Sequence, residues 1–127
     1  MRSNGERGSA VIEFALLLPI LLFVLLAVVQ VGVLASDQLV ITQAARAGAR
    51  AASVEAGDDA ARAAALGAAS GLDPARITVT ISRSGTEGDP VAVTVTYQAP
   101  IAGLISRWLL PPEVTLHSSS TMRQEFA

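Results

Sequence analysis

The chain has 127 residues, a formal net charge of −2 at pH 7, and a composition that is 51% hydrophobic but only 4% aromatic. An acidic balance excludes the usual basic nucleic-acid-binding surface. The absence of cysteine excludes disulfides and thiolate metal sites, and so few aromatic residues leave a small domain short of large core anchors.

Met1 to Gly8 is a short polar leader containing Arg2 and Arg7. The apolar run that follows, from Phe14 to Ala35, contains Gln30 as its only strongly polar residue. About 22 residues at about 1.5 Å each reach roughly 33 Å, enough to cross a hydrocarbon core. Arginines in the leader predict a cytoplasmic N-terminus under the positive-inside rule. Arg46 and Arg50 weaken that bias, although close to the helix the far side offers only Asp37. Two other readings compete. Val33-Leu34-Ala35 before Ser36 resembles a signal-peptide cleavage site, but the run exceeds the usual h-region and leaves Glu13 without a purpose. An uncleaved single-pass anchor carrying an extracytoplasmic binding module is the other.

Glu13 is the anomaly at the start of that run. A carboxylate deep in a bilayer costs on the order of 2.5–3.5 kcal/mol, and less near a helix N-terminus, where the dipole favours an anion. It is either a boundary residue reaching the headgroups or one half of a charge pair.

Glu6-Arg7-Gly8-Ser9-Ala10-Val11-Ile12-Glu13-Phe14, followed by Ala15-Leu16-Leu17-Leu18-Pro19, resembles the start of the TadE-like minor pilins (pseudopilins) of tight-adherence, or Flp-type, pilus systems. The resemblance implies that a membrane prepilin peptidase cuts after Gly8 and makes Ser9 the new terminus. Glu13 then stands at the spacing expected of the pilin glutamate, and Phe14 at the aromatic position beside it. It further implies a leader at 1–8, a transmembrane helix at 9–35 and an extracytoplasmic pilin-like domain at 36–127. Its partners would be the peptidase, other pilin or pseudopilin subunits, the assembly platform and membrane lipid. The expected location is the cell membrane, with incorporation into a pilus.

Pro19 lies inside the run and cannot donate to the Ala15 carbonyl, a gap that membrane helices tolerate; it is either a bending point used in helix packing within a filament or a tolerated kink. The helix is predicted to continue from Ser36 to about Val54. Ala44, Gly48 and Ala52 fall at spacings of four, a small-residue stripe that allows close approach. It packs either on the chain's own sheet or on a neighbouring subunit. Arg46 and Arg50 lie on another face.

Glu55 to Asp59 breaks the pattern, and Asp58 or Asp59 is expected to cap a second helix over Ala60–Ser70, ended by Gly71 and Asp73-Pro74. The period then changes to two. Ile77, Val79 and Ile81 form one alternating run, and Val91, Val93, Val95 and Tyr97 another, so both read as strands joined by a flexible loop from Ser84 to Pro90. Ile101 to Leu110 predicts a helical turn or two stopped by Pro111-Pro112, with Trp108 in the core or at the membrane surface. Val114 to Arg123 predicts a third strand. The fold class is therefore α+β, pilin-like, with a long N-terminal helix, a second short helix and a small antiparallel sheet.

No catalytic constellation emerges, and neither an enzyme nor a cofactor is expected. His117 is the only histidine and sits beside Ser118, Ser119 and Ser120, but triads are defined by geometry rather than by proximity in sequence. Adjacent acids such as Asp58 and Asp59 are ordinary at a helix start. Gly85 with Gly88 lacks the strand-to-helix context of a phosphate loop.

Overall fold

The computed structural model describes residues 3–101 and 103–125; Met1 and Arg2 of the expected leader, Ala102, Phe126 and Ala127 lie outside the described residues. The chain divides into two compact units, Met1–Gly32 and Val33–Ala127. Helix α1, Ser3–Val54, contributes to both.

In the first unit α1 begins before Gly8 and passes through Pro19 without a break. Proline removes one donor and bends a helix, yet the remaining i→i−4 bonds of an apolar segment are enough to keep it helical where no water competes for the backbone.

The second unit holds the last part of α1, helix α2 (Asp58–Ala68), a 3-10 turn (Pro74–Arg76), strands β1 (Ile77–Arg83) and β2 (Pro90–Pro100), the single-turn helix α3 (Gly103–Ser106) and strand β3 (Glu113–Arg123). The sheet is antiparallel with β2 in the centre. Val95 stands between Val79 and Ser118, and Val93 between Ile81 and Ser120. Because side chains alternate across a strand, Val91, Val93, Val95, Tyr97 and Ala99 all point to one face. There they are buried against Ile41, Ala44, Ala45, Ala49 and Ala52 of α1 and against Ala61, Ala65 and Ala69 at α2. Each of the three fully buried valines contributes about 1.5–3 kcal/mol of burial, while the alanines contribute close approach of backbone rather than large apolar area.

Several boundaries differ from the sequence reading. Asp58 and Asp59 do not cap α2; Gly57, in extended conformation with φ −79 and ψ 130, takes that place without a side-chain bond. Both acids instead occupy the first turn, where they complement the helix dipole. The helix stops at Ala68 rather than Ser70, the N–H of Ala69 closing onto Ala65 and Leu66. Asp73 caps the 3-10 turn, its Oδ1 accepting from the Ala75 N–H at 3.0 Å. Strand β2 runs past Tyr97 to Pro100, because Gln98 and Ala99 find Thr115 and Val114 across the ladder. Trp108 is not a core residue; it is exposed.

Candidate functional site

Four of the residues singled out in the sequence lie together at the start of α1. Gly8 and Ser9 are helical, and a side chain at Gly8 would meet no atom within 4 Å. Glu13 follows Ser9 by one turn on the same helix face. Phe14 is about 100° further round. All four are exposed, and among the described residues Glu13 has no ion-pair partner.

From Val11 through Val31 most of the large apolar side chains of the helix are exposed in the isolated chain, while Phe23 is half-buried and Gln30 buried. Among the described residues α1 is the one helix long and apolar enough to cross a membrane, with a window of mean hydropathy 2.9 of which none is buried. A surface of this kind is not stable in water. Such a helix can anchor the chain by a single pass. Pro19 lies within this surface.

Ala44, Gly48 and Ala52 belong to the second unit, and the chain's own elements cover them. A Cβ on Gly48 would lie 2.9 Å from Val93 Cγ1, 3.1 Å from Ala65 Cβ and 3.3 Å from the Ala61 carbonyl oxygen. The stripe is thus the seam where α1, α2 and β2 meet, and it leaves no face open to a neighbouring subunit.

The polar residues weighed for chemistry are engaged structurally. Asp58 Oδ1 accepts from Arg83 Nε at 2.7 Å, and Asp59 lies 4.0 Å from Arg62. His117 is exposed on β3, and its carbonyl accepts from Gln38 Nε2 at 3.0 Å. Gly85 and Gly88 have φ of 58 and 86 in the β1–β2 loop, the left-handed region that glycine allows, and Asp89 Oδ2 accepts there from the Thr86 N–H and hydroxyl. Among the described residues no group of three or more His, Cys, Asp or Glu side chains converges.

Sequence reasoning overlooked Arg83 and Gln124. Arg83 joins the end of α1 to the start of α2, and Gln124 is buried and ties the β1–β2 loop to the end of β3, donating towards Ser84 and Thr86. Arg83 ends β1 and Gln124 follows β3, and both read locally as ordinary strand-end residues, so no short-range pattern could have marked them.

Comparisons with curated proteins and with solved structures returned no match. The family model described as TadE-like protein matches residues 8–50, which take in Gly8, Ser9, Glu13, Phe14 and the apolar surface; over that stretch the chain is similar to TadE-like proteins.

Proposed function

We propose that this chain is a membrane-anchored minor pilin, or pseudopilin, acting in assembly of a tight-adherence pilus or a related export machine, as a structural component rather than an enzyme. The observation that carries the reading is the TadE-like stretch itself, whose first part is a largely exposed apolar helical surface headed by Gly8, Ser9 and Glu13 at pilin spacing. A prepilin peptidase removes the leader up to Gly8. Gly8 supports this chemically, because a glycine costs a helix about 1 kcal/mol relative to alanine and eases local unwinding into a protease cleft. The leader remains cytoplasmic and the second unit lies outside.

Once Ser9 is the terminus, its α-amino group is a cation at the apolar boundary. Glu13 is an anion one turn away. Between two staggered helices these charges meet in a low dielectric, which strengthens their attraction and penalises any offset that leaves one unpaired. The helix then leaves lipid by packing among the helices of other subunits on the assembly platform. N-terminal sequencing of the protein from native membranes tests the reading, with Ser9 expected as the first residue. A chain beginning at Met1 or at Ser36 overturns it.

A further inference from the structure

The second unit carries an apolar patch that its own fold leaves uncovered, and two hydrogen bonds locate it. Gln38 Nε2 donates to the His117 carbonyl at 3.0 Å, and the Glu125 N–H donates to the Ser53 carbonyl at 2.8 Å. Helix α1 and strand β3 therefore run in the same direction, Gln38 level with His117 and Ser53 level with Glu125. From His117 back to Glu113, where β3 begins, the strand covers about 13 Å. From Gln38 back to Val33 the helix covers about 7.5 Å. The described residues of the connection between β2 and β3, 101 and 103–112, thus lie at the Val33 end of the second unit. That is the end from which the chain continues into its apolar run.

This connection is built, not loose. Ile105 is 1% exposed and Ile101 is also buried, so both face inward. The N–H groups of Trp108, Leu109 and Leu110 converge on the Ile105 carbonyl at 3.2, 3.0 and 3.4 Å, and the Ile101 N–H donates to the Pro112 carbonyl at 3.0 Å. With the N–H groups of Ile101 and of residues 107–110 met internally, the stretch that carries Trp108, Leu109 and Leu110 needs no water for those donors on approaching an apolar medium. Its side chains point the other way: Trp108 is 78% exposed, Leu109 66% and Leu104 57%, and Leu110 joins them. Arg107, exposed, stands beside Trp108.

We propose that Leu104, Trp108, Leu109 and Leu110 seat in the headgroup–acyl boundary of the bilayer that α1 crosses, holding the second unit against lipid at a second point. The inference rests on the membrane-anchored reading given above. Tryptophan favours that boundary, where its ring is in the apolar layer and its N–H remains wet, and an adjacent arginine is drawn to anionic headgroups. The position of the patch, at the end of the unit where the chain enters the membrane, favours lipid over a protein partner.

Trp108 is the only tryptophan, so it reports on the loop without labelling. The full chain is reconstituted into phosphatidylcholine–phosphatidylglycerol vesicles, and its fluorescence is recorded with aqueous iodide or with lipids brominated high on the acyl chain. The expected result is blue-shifted emission that bromine quenches and iodide does not. Leu109→Ser combined with Leu110→Ser should return the emission to the red and restore iodide quenching, with retention in alkaline carbonate unchanged. If the chain resists carbonate while Trp108 is quenched by iodide and untouched by bromine, the loop proposal fails and the anchor stands. Shielding from iodide without bromine quenching means that protein covers the patch, and also overturns the lipid assignment. Loss of the chain to carbonate overturns both the anchor and the loop contact.

Discussion

Arg83 donates its Nε–H to Asp58 Oδ1 at 2.7 Å, and through that bond the end of β1 grips the first turn of α2. The same guanidinium donates from Nη1 to the Ala52 carbonyl at 2.8 Å and from Nη2 to the Glu55 carbonyl at 3.1 Å. One side chain therefore satisfies acceptors at the end of α1 and an acid at the start of α2, where a cation and an anion respectively suit the helix dipoles.

Removing this fork should be among the more damaging changes in the second unit. Arg83→Ala is expected to lower stability by about 2–3 kcal/mol, because the freed α1 carbonyls lose a charged donor. Arg83→Lys should recover only a minor part, since one ammonium cannot span three diverging acceptors. Asp58→Ala should cost about 1 kcal/mol or less, because the Asp58 side chain is 50% exposed. Denaturant midpoints of the full chain in mild detergent give the ranking, and an Arg83→Ala midpoint equal to wild type would remove the clamp from the account.

Gly48 offers a steric test of the seam. Alanine there gains about 1 kcal/mol of helix propensity. Its Cβ, however, would stand 2.9 Å from Val93 Cγ1 and 3.3 Å from a backbone oxygen. Valine is stiff at χ1 and cannot swing away, so overpacking of about 1–3 kcal/mol should prevail. Gly48→Ala is expected to melt below wild type, and Gly48→Leu should fail to fold. A stabilised Gly48→Ala chain would mean that the helix and sheet can separate freely.

Tyr97 predicts an alkaline limit. It is 5% exposed, and burial pushes its phenol above the ordinary value of 10.0, with the Asp37 charge adding to the effect. The raised value means that the folded state resists ionisation. Stability from this group is fully present below about pH 10 and is lost as pH rises through the higher folded value. With lysine and cysteine absent and a single tyrosine, no other side chain confuses the titration. Melting temperature should fall above about pH 10, and Tyr97→Phe should flatten that fall. An unchanged slope in Tyr97→Phe would assign the loss elsewhere.

Glu13→Ala separates assembly from insertion. Removing a carboxylate from an apolar boundary does not hinder entry into lipid, so processing at Gly8 and membrane retention should persist. Co-purification with other pilin subunits and the yield of assembled pili should drop, because the axial offset is no longer rewarded. Full assembly by Glu13→Ala would make Glu13 a boundary residue only.

What could be read from the chain alone was whatever repeats locally. Alternation marked all three strands, since each has one face against the core, and the long apolar run marked α1. Position-specific features were harder. Asp58 and Asp59 have the composition of caps, but Arg83 draws Asp58 outward while Gly57 takes the extended conformation of the cap. The small-residue stripe was recognisable in sequence. Which surface fills it depends on Val93 and Ala65, brought there by the tertiary fold. The exposed apolar patch between β2 and β3 was visible only as Trp108; its leucines gain meaning from Ile101 and Ile105 turning inward.

The alanine seam also shapes how the second unit responds to temperature. Eight of the thirteen buried residues in its main cluster are alanine, recurring along α1, at α2 and in β2. Newly wetted apolar area sets the heat-capacity increment on unfolding at about 0.45 cal/K/mol per Å². A seam of methyl groups exposes little of it, so the stability curve should be shallow and broad, changing slowly between cold and warm rather than peaking sharply.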